Sequence, residues 1–145
     1  MNKKYDALKL KNQLCFSLYA SSKEMIKQYK PFLEPLDLTY TQYLAMMVIW
    51  EQREVSVKDL GECLFLDSGT LTPVLKKLEA KGYVTRERSK ADERNLVIRS
   101  TALGDKLKEK ALKVPQRLEK YVPLSKEEEQ ELHRLLDKVL SMVES

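Results

Sequence analysis

Residues 67–82 have the sequence DSGTLTPVLKKLEAKG, which carries the pattern of one amphipathic helix. Four apolar residues follow the i, i+3, i+4, i+7 spacing of a single helical stripe: Leu71, Val74, Leu75 and Leu78. Asp67 or Ser68 can cap the start of this helix, and Gly82 can take the left-handed conformation that ends it. The stretch is therefore predicted to be a helix with one buried face.

The face opposite the stripe has no acidic residue. It presents small polar groups near the start of the helix and lysines further along: Ser68, Gly69, Thr70, Thr72, Lys76 and Lys77. Such a face suits a DNA groove, because short polar groups can meet base edges and ammonium groups can contact phosphates. Pro73 lacks the N–H that would bond the carbonyl of Gly69, and it predicts an irregular first turn. A solvated surface helix would have a similar sequence. The neighbouring segments are therefore needed to choose between a DNA-reading helix and a surface helix.

The segment before this helix favours DNA binding. Ser56 can cap a short helix over 57–64, and residues 65–66 leave room only for a tight connection. Two short helices joined this closely form the helix-turn-helix pattern, in which the second helix reads the DNA.

The segment after Gly82 predicts a charged β-hairpin. Two β-prone runs, 83–88 and 95–100, flank a polar tip. Five cations lie along it: Arg86, Arg88, Lys90, Arg94 and Arg99. Such a hairpin directly after a helix-turn-helix is the wing of a winged helix. An arginine at the tip can enter the minor groove, and Asp92 could aim the guanidinium of Arg94. The predicted wing contacts are Arg86, Asp92 and Arg94; the alternative is a solvated hairpin whose charges cancel.

The rest of the chain is predicted to be helical. The fold class is mainly α with a small β wing, in one protomer of residues 1–145. The winged helix-turn-helix occupies about 39–100, with dimerisation helices at about 8–30 and 102–144. The run from Tyr43 to Trp50 is apolar all round and is predicted to be central core.

Smaller signals fix the predicted helix ends. Thr39 or Thr41 can start the central helix, and Pro31 and Pro35 break the one before it. Pro115 should kink the helix over 102–121. Ser125 followed by Glu128 forms a capping box for the last helix.

Composition limits the class of protein. The chain has 145 residues, with 43% hydrophobic and 33% charged, as expected of one folded domain. No apolar run approaches the roughly 20 residues that span a bilayer, and no signal core follows the N-terminus, so a cytoplasmic location without membrane binding is expected. Two cysteines form no disulfide framework, and one histidine leaves a zinc site without ligands, so no metal or cofactor is expected.

The terminal helices carry more apolar surface than a small winged-helix core can cover. A seam alternates spacings of four and three residues: Leu103, Leu107, Ala111, Val114, Leu118 and Tyr121. The last helix has a second such face. A homodimer would bury both, and its two-fold axis would place two reading helices about one turn of DNA apart, which matches a palindromic operator.

In this order of elements, the chain resembles a MarR-type transcription regulator over essentially its whole length. Asp92-Glu93-Arg94 is similar to the wing signature of that family. Three further segments resemble its thiol-based organic hydroperoxide regulators and their redox-sensing relatives: Gln13-Leu14-Cys15-Phe16, Leu38-Thr39-Tyr40, and Leu66 to Pro73. Tyr19 and Tyr29 belong to the same match.

The resemblance implies that Cys15 is the peroxide-sensing thiol. Tyr19, Tyr29 and Tyr40 would surround it, with hydroxyls that hydrogen-bond the sulfur partly across the dimer interface. Phenol donors favour the charged thiolate, which is the reactive form. Since no cysteine follows Cys63, the oxidised Cys15 is expected to form a mixed disulfide with a small cellular thiol, or to overoxidise. Cys63 is expected to be structural.

The predicted function is a DNA-binding regulator, acting as a repressor, which oxidation of Cys15 by organic hydroperoxides releases from its operator. One alternative is a MarR-type regulator that a phenolic or drug-like ligand in the interhelical pocket releases. An alternative of another class is a thiol peroxidase. Peroxidases need a cysteine at a helix N-terminus with a base nearby, whereas Cys15 is predicted to be mid-helix with no histidine near it; the chain is therefore predicted not to be an enzyme.

Overall fold

A computed structural model of the chain describes residues 3–91 and 95–143. Within them, the helices are α1 (Leu14–Leu33), α2 (Tyr40–Gln52), α3 (Val57–Leu64), α4 (Ser68–Ala80), α5 (Ala102–Ala111), α6 (Lys113–Glu119) and α7 (Lys126–Leu140). The strands are β1 (Glu54–Ser56), β2 (Val84–Arg88) and β3 (Leu96–Ser100). Short 3₁₀ helices cover Lys3–Leu8, Leu10–Asn12 and Glu34–Leu36. The prediction of a mainly α fold with a small β wing is confirmed, and none of the described helices is long and apolar enough to cross a membrane.

The helix-turn-helix forms where its local signals predict it. The Ser56 hydroxyl accepts from the backbone N–H of Asp59 at 3.0 Å and caps α3. Phe65 closes that helix in the left-handed conformation, with φ 56°. The Asp67 carboxylate then caps α4 by accepting from the N–H of Thr70 at 2.7 Å. Gly61 allows the close approach of the turn, because a Cβ there would lie 2.7 Å from the Leu66 carbonyl oxygen.

The sheet has three antiparallel strands in the order β1-β3-β2. The sequence predicted β2 and β3 but not β1, which has three residues and pairs Val55 with Ile98. On the exposed side, the Arg99 guanidinium lies 3.1 Å from the carboxylate of Glu54 and 3.8 Å from that of Glu87. Arg99 therefore links all three strands by charge.

The core lies between α2, the helix-turn-helix and the sheet. Its fully buried side chains include Met46, Ile49, Leu60, Leu71, Leu75, Leu78 and Ile98. The predicted stripe of α4 thus faces inward, although Val74 is only half-buried. Trp50 is confirmed as a core residue, and its indole N–H donates to the carbonyl of Gly104 at 3.0 Å. The expectation that the run from Tyr43 to Trp50 is buried all round is wrong at Met47, which is 44% exposed.

The first long helix starts later and ends later than predicted. It begins at Leu14 instead of residue 8, and 3₁₀ turns precede it. The side chain of Gln13 donates to the carbonyls of Ala7 and Lys9, which stabilises those turns. The helix then runs through Pro31 to Leu33, and the missing N–H of Pro31 leaves the carbonyl of Lys27 without its helical donor.

The region over 102–121 divides into α5 and α6 at Leu112, whereas the sequence predicted one helix with a kink at Pro115. Pro115 is the third residue of α6, within the first turn, where a missing N–H costs little. Most of the predicted seam is filled within the chain, since Leu107, Ala111, Val114 and Leu118 are buried. Its ends, Leu103 and Tyr121, stay exposed.

Candidate redox site and DNA interface

Cys15 is exposed and is the second residue of α1. The prediction that it lies mid-helix is therefore wrong, because the 3₁₀ turns take up the residues that were assigned to the helix. The first turn of a helix has backbone N–H groups without helical partners, and a negative charge is favoured there. Cys15 stands among exposed apolar side chains, those of Leu14, Phe16 and Tyr19. The thiol is thus open to solvent on an apolar surface.

Tyrosine rings gather where α1 meets the start of α2. The rings of Tyr29 and Tyr40 are 4.7 Å apart between centroids, and those of Tyr29 and Tyr43 are 6.0 Å apart. Burial raises the pKa of Tyr29 to about 12, with further contributions from Tyr40 and Tyr43. Burial also raises the pKa of Tyr40, against a hydrogen bond with Tyr29 that lowers it. Both hydroxyls keep their protons at neutral pH and can donate.

Tyr43 is a member of this cluster that the sequence assigned to the core. Its ring is buried, and burial raises its pKa. Tyr43 lies three residues after Tyr40, and residues i and i+3 share a helix face. This spacing could have predicted that Tyr43 belongs to the cluster.

The structure does not bring all the predicted redox residues together in one chain. Tyr19 is 62% exposed, and the ammonium of Lys23 lies 6.0 Å from its ring centroid. Cys15 and Tyr29 are fourteen residues apart on one helix, which is about 21 Å at roughly 1.5 Å per residue. A sulfur and a hydroxyl at that separation cannot bond within one chain. A contact between them requires a second copy of α1.

A groove of about 640 Å³ lies beside Tyr29, between α1, α6 and α7. Its lining is mainly apolar: Met25, Tyr29, Pro115, Leu118, Val122, Leu124, Leu132 and Leu136. Glu119, Glu129 and His133 add polar groups at its edge. His133 is exposed.

The predicted reading face of α4 points to solvent. Its exposed members are Ser68, Gly69, Thr70, Lys76 and Lys77. Thr72 is half-buried, and its hydroxyl donates to the Ser68 carbonyl at 2.7 Å. The predicted irregular first turn is not found, because α4 is a continuous helix from Ser68 through Pro73. The proline ring therefore leaves the Gly69 carbonyl without its helical donor.

The wing is partly tied to α4. The guanidinium of Arg86 donates from Nε and Nη2 to the Glu79 carboxylate, at 3.2 and 3.1 Å, and its side chain is 21% exposed. This ion pair holds β2 against the reading helix and directs the charge of Arg86 away from open solvent. Asp92 and Arg94 lie outside the described residues.

Cys63 is an exposed residue of α3, and its sulfur accepts from the side chain of Gln52 at 3.8 Å. It therefore contributes little to the core, and its expected structural role stays a prediction. Within the described part of the chain, no group of three or more His, Cys, Asp or Glu side chains could hold a metal ion.

Comparisons with known proteins agree with this geometry. The family described as the transcriptional regulator SarA/Rot matches residues 27–111. The organic hydroperoxide resistance transcriptional regulator of Bacillus subtilis is 49% identical over 145 residues, which cover 100% of this chain and 97% of that protein.

Solved structures of AbfR, a protein of Staphylococcus epidermidis, match nearly the whole chain. Reduced AbfR bound to DNA has a TM-score of 0.80 at 33% identity, with 98% of this chain and 99% of that chain covered. Disulfide-formed AbfR has a TM-score of 0.64 at 33% identity, with 99% of each chain covered. Overoxidised AbfR bound to DNA has a TM-score of 0.78. The chain is thus closer in shape to the DNA-bound forms than to the disulfide-formed one.

Proposed function

Because this chain belongs to the MarR-type transcription regulators, in the group of the organic hydroperoxide resistance regulators, we propose that oxidation of Cys15 releases it from DNA. The observation that carries this proposal is the position of Cys15, an exposed thiol on the apolar surface at the start of α1. A peroxide with an organic substituent can approach that surface, whereas a buried thiol would be inert.

DNA binding is assigned to α4 and the wing. The exposed polar groups of α4 would enter the major groove, with Ser68, Thr70 and Thr72 near base edges and Lys76 and Lys77 near phosphates. Arg94 at the wing tip would enter the minor groove, oriented by Asp92. Arg86 would contribute mainly by positioning the wing, since Glu79 holds its guanidinium.

The DNA-binding unit is proposed to be a homodimer on a palindromic site. The apolar surface of α7 and of the N-terminal turns supports this assembly, because little in the same chain covers it. In such a dimer, Cys15 of one chain can reach Tyr29 and Tyr40 of the other, a contact that the length of α1 forbids within one chain. Tyr19 would complete the surroundings of the sulfur.

The proposed chemistry takes two steps. The Cys15 thiolate attacks the outer oxygen of the hydroperoxide, so that an S–O bond forms as the O–O bond breaks and Cys15 becomes a sulfenic acid. The alkoxide that leaves takes up a proton from water and becomes an alcohol. A small cellular thiol then attacks that sulfur, and the hydroxyl leaves as water, which gives a mixed disulfide. The peroxide is the oxidant in the first step, and the sulfenic acid is reduced as the small thiol is oxidised in the second.

The mixed disulfide would act by moving helices. A bulky group between the dimer helices cannot be absorbed by close-packed side chains, so the two α4 helices would change their separation. A shift of a few Å breaks the match to two half-sites one turn apart. The TM-scores of 0.80 and 0.64 with reduced and disulfide-formed AbfR support a change of shape when a disulfide forms, whereas overoxidised AbfR bound to DNA keeps a TM-score of 0.78.

The test compares release by cumene hydroperoxide with release by salicylate, in wild type and Cys15→Ser, with a small thiol present. Wild type should leave its operator after peroxide treatment, whereas Cys15→Ser should bind as tightly and ignore peroxide. Equal release of both proteins by peroxide would overturn the assignment and point to Cys63 or Met47. Release by salicylate in both proteins would instead favour a ligand-operated regulator.

The relatives of this chain are transcription regulators, and the proposal is accordingly a sensor and not an enzyme. The position of Cys15 at a helix N-terminus meets one requirement of a thiol peroxidase, so turnover has to be measured. We expect about one equivalent of peroxide to be consumed per Cys15, which is the amount that oxidises the thiol to the sulfenic acid. Sustained consumption with a thiol reductant would contradict a purely regulatory role.

A further inference from the structure

The C-terminal end of the reading helix is held against the connection between α1 and α2 by one ammonium group. Lys81 follows α4 directly, and its Nζ donates to the Asp37 carbonyl at 2.6 Å and to Oε1 of Gln42 at 3.0 Å. It also lies 3.5 Å from the Asp37 carboxylate, and the side chain is 26% exposed. These acceptors use the three donors of an ammonium group.

Gln42 connects this contact to the first turn of α2. Its side chain is 3% exposed, and its Oε1 also accepts from the backbone N–H of Thr39 at 3.1 Å. The Thr39 hydroxyl accepts in return from the N–H of Gln42 at 3.2 Å, which completes a capping box. The amide oxygen therefore has two donors, so Lys81 is bonded to the same atom that fixes the start of α2.

The same turn carries Tyr40. This residue follows Thr39 directly, and its ring lies 4.7 Å from that of Tyr29. Tyr40 and Gln42 move together because two residues in one helical turn share a rigid backbone. A displacement of Tyr40 is therefore transmitted to Oε1 of Gln42 and to Lys81.

A second contact keeps this junction closed. The hydroxyl of Tyr83, two residues after Lys81, donates to the Leu36 carbonyl at 3.3 Å. The other tie on this end of α4, between Glu79 and Arg86, runs to the wing and does not reach the tyrosines. The end of α4 and the residues after it are thus attached to the connection between α1 and α2 through Lys81 and Tyr83, and to the wing through Glu79.

We propose that Lys81 is the positioning residue that couples the tyrosine cluster to the reading helix. This inference rests on the proposed function, since it concerns how a change at Cys15 reaches α4. Lys81 acts through Gln42 and is not assigned a contact with DNA or with the thiol. In the reduced state Lys81 would keep α4 in the orientation that fits the major groove of DNA. Movement of Tyr40 would break or shift the hydrogen bond from Lys81 to Gln42.

The experiment measures a ratio of two operator dissociation constants, that of the Cys15 mixed disulfide over that of the reduced protein. Wild type should give a ratio of about 5 to 150, the usual range of coupling between two sites. In Lys81→Met the ratio should fall to within about threefold of one, because the two states no longer differ at α4. The rate at which Cys15 loses its free thiol to cumene hydroperoxide should stay at the wild-type value.

Two controls separate coupling from simple loss of structure. Lys81→Arg keeps a cationic donor at the same place and should keep the ratio. Glu79→Gln weakens the tie on the wing side of the same helix end and should also keep it. If Lys81→Met has a much lower Tm, Lys81→Gln replaces it, because its side chain is polar but lacks the ammonium group.

The outcomes distinguish this inference from the proposed function. A wild-type ratio near one would overturn both, since oxidation would then not release DNA. A normal wild-type ratio that persists in Lys81→Met and Lys81→Gln would overturn only the role of Lys81. A ratio lost equally in Glu79→Gln would also count against it, because any disturbance of that helix end would then suffice.

Discussion

The surroundings of Tyr29 differ from those of a free tyrosine side chain. It lies beside Tyr40 and Tyr43 and at the wall of the groove between α1, α6 and α7. Because its pKa is raised to about 12, the hydroxyl is a donor over the whole physiological pH range. A neutral phenol can donate a hydrogen bond to a thiolate, whereas an ionised tyrosine would repel it.

Tyr29→Phe should slow the reaction of Cys15 with cumene hydroperoxide while operator affinity in the reduced state is kept. The reason is the loss of a hydrogen bond that favours the thiolate. Stopped-flow loss of free thiol measures the rate, and Tyr5→Phe, an exposed tyrosine on the N-terminal turns, is the control. An unchanged rate in Tyr29→Phe would remove Tyr29 from the redox site.

The raised pKa of Tyr29 also predicts that the folded state loses stability at alkaline pH. In the folded chain Tyr29 keeps its proton up to a pH of about 12, against 10.0 for the free side chain. The folded state therefore binds more protons than the unfolded state between these values, and its stability falls as the pH rises through them. Thermal melts between pH 9 and about 11 should show a steeper fall of Tm in wild type than in Tyr29→Phe. Parallel curves would mean that the hydroxyl is not shielded from water.

Among the elements, α4 has one buried apolar stripe and one exposed polar face, and that face is the proposed DNA contact. Lys76 is exposed on the face opposite the buried stripe of Leu71, Leu75 and Leu78. Lys76→Ala should weaken binding to all DNA sequences alike and reduce the slope of log K against log salt by about one. Lys120→Ala, at the end of α6, removes the same charge away from that face and should leave the slope unchanged. A slope unaffected by Lys76→Ala would place the phosphate contacts elsewhere.

Elements with local signals could be predicted from the sequence, and those that depend on distant partners could not. The starts of α2, α3, α4 and α7 follow from capping residues within four positions. By contrast, β1 has three residues, and it is a strand only because β3 lies beside it. The start of α1 was missed because the side chain of Gln13 stabilises 3₁₀ turns in a segment whose composition also suits a helix.

The residues of the candidate site also divide into those that local patterns predicted and those that depend on distant contacts. Cys15 and its tyrosines came from a resemblance of short motifs, while the reading face came from helical periodicity. The bond from Lys81 to Gln42 joins residues 39 positions apart, and no local pattern marks it. A lysine after a helix usually ends in solvent, so its partner could be found only in the folded chain.

At the scale of the molecule, the uncovered surface of α7 is the main feature. None of the described residues of this helix is buried, and Leu135 is 45% exposed on its apolar face. Wild type should sediment at about twice the 16.9 kDa chain mass at micromolar concentration. Leu135→Asp should shift it toward the monomer, because a charge on an apolar contact face is not solvated there.

The winged core should survive that change, since none of the described buried side chains that form it belongs to α7. The fluorescence of Trp50, which is buried and bonded to Gly104, reports on that core. Gln130→Asp places the same charge on the polar side of α7 and should leave the dimer intact. A stable dimer of Leu135→Asp would mean that α7 does not form the interface.

The pairing of Val55 with Ile98 has a consequence for the order in which the chain is made and folds. It closes a loop that contains α3, α4 and β2, at an entropic cost of about 3 kcal/mol for a loop of roughly 40 residues. During synthesis the sheet has to wait until residue 98 has left the ribosome, whereas Cys15 emerges long before. During this period the Cys15 thiol of the nascent chain can already be oxidised, although the winged helix and the proposed dimer have not yet formed. Oxidation at that stage cannot change DNA binding.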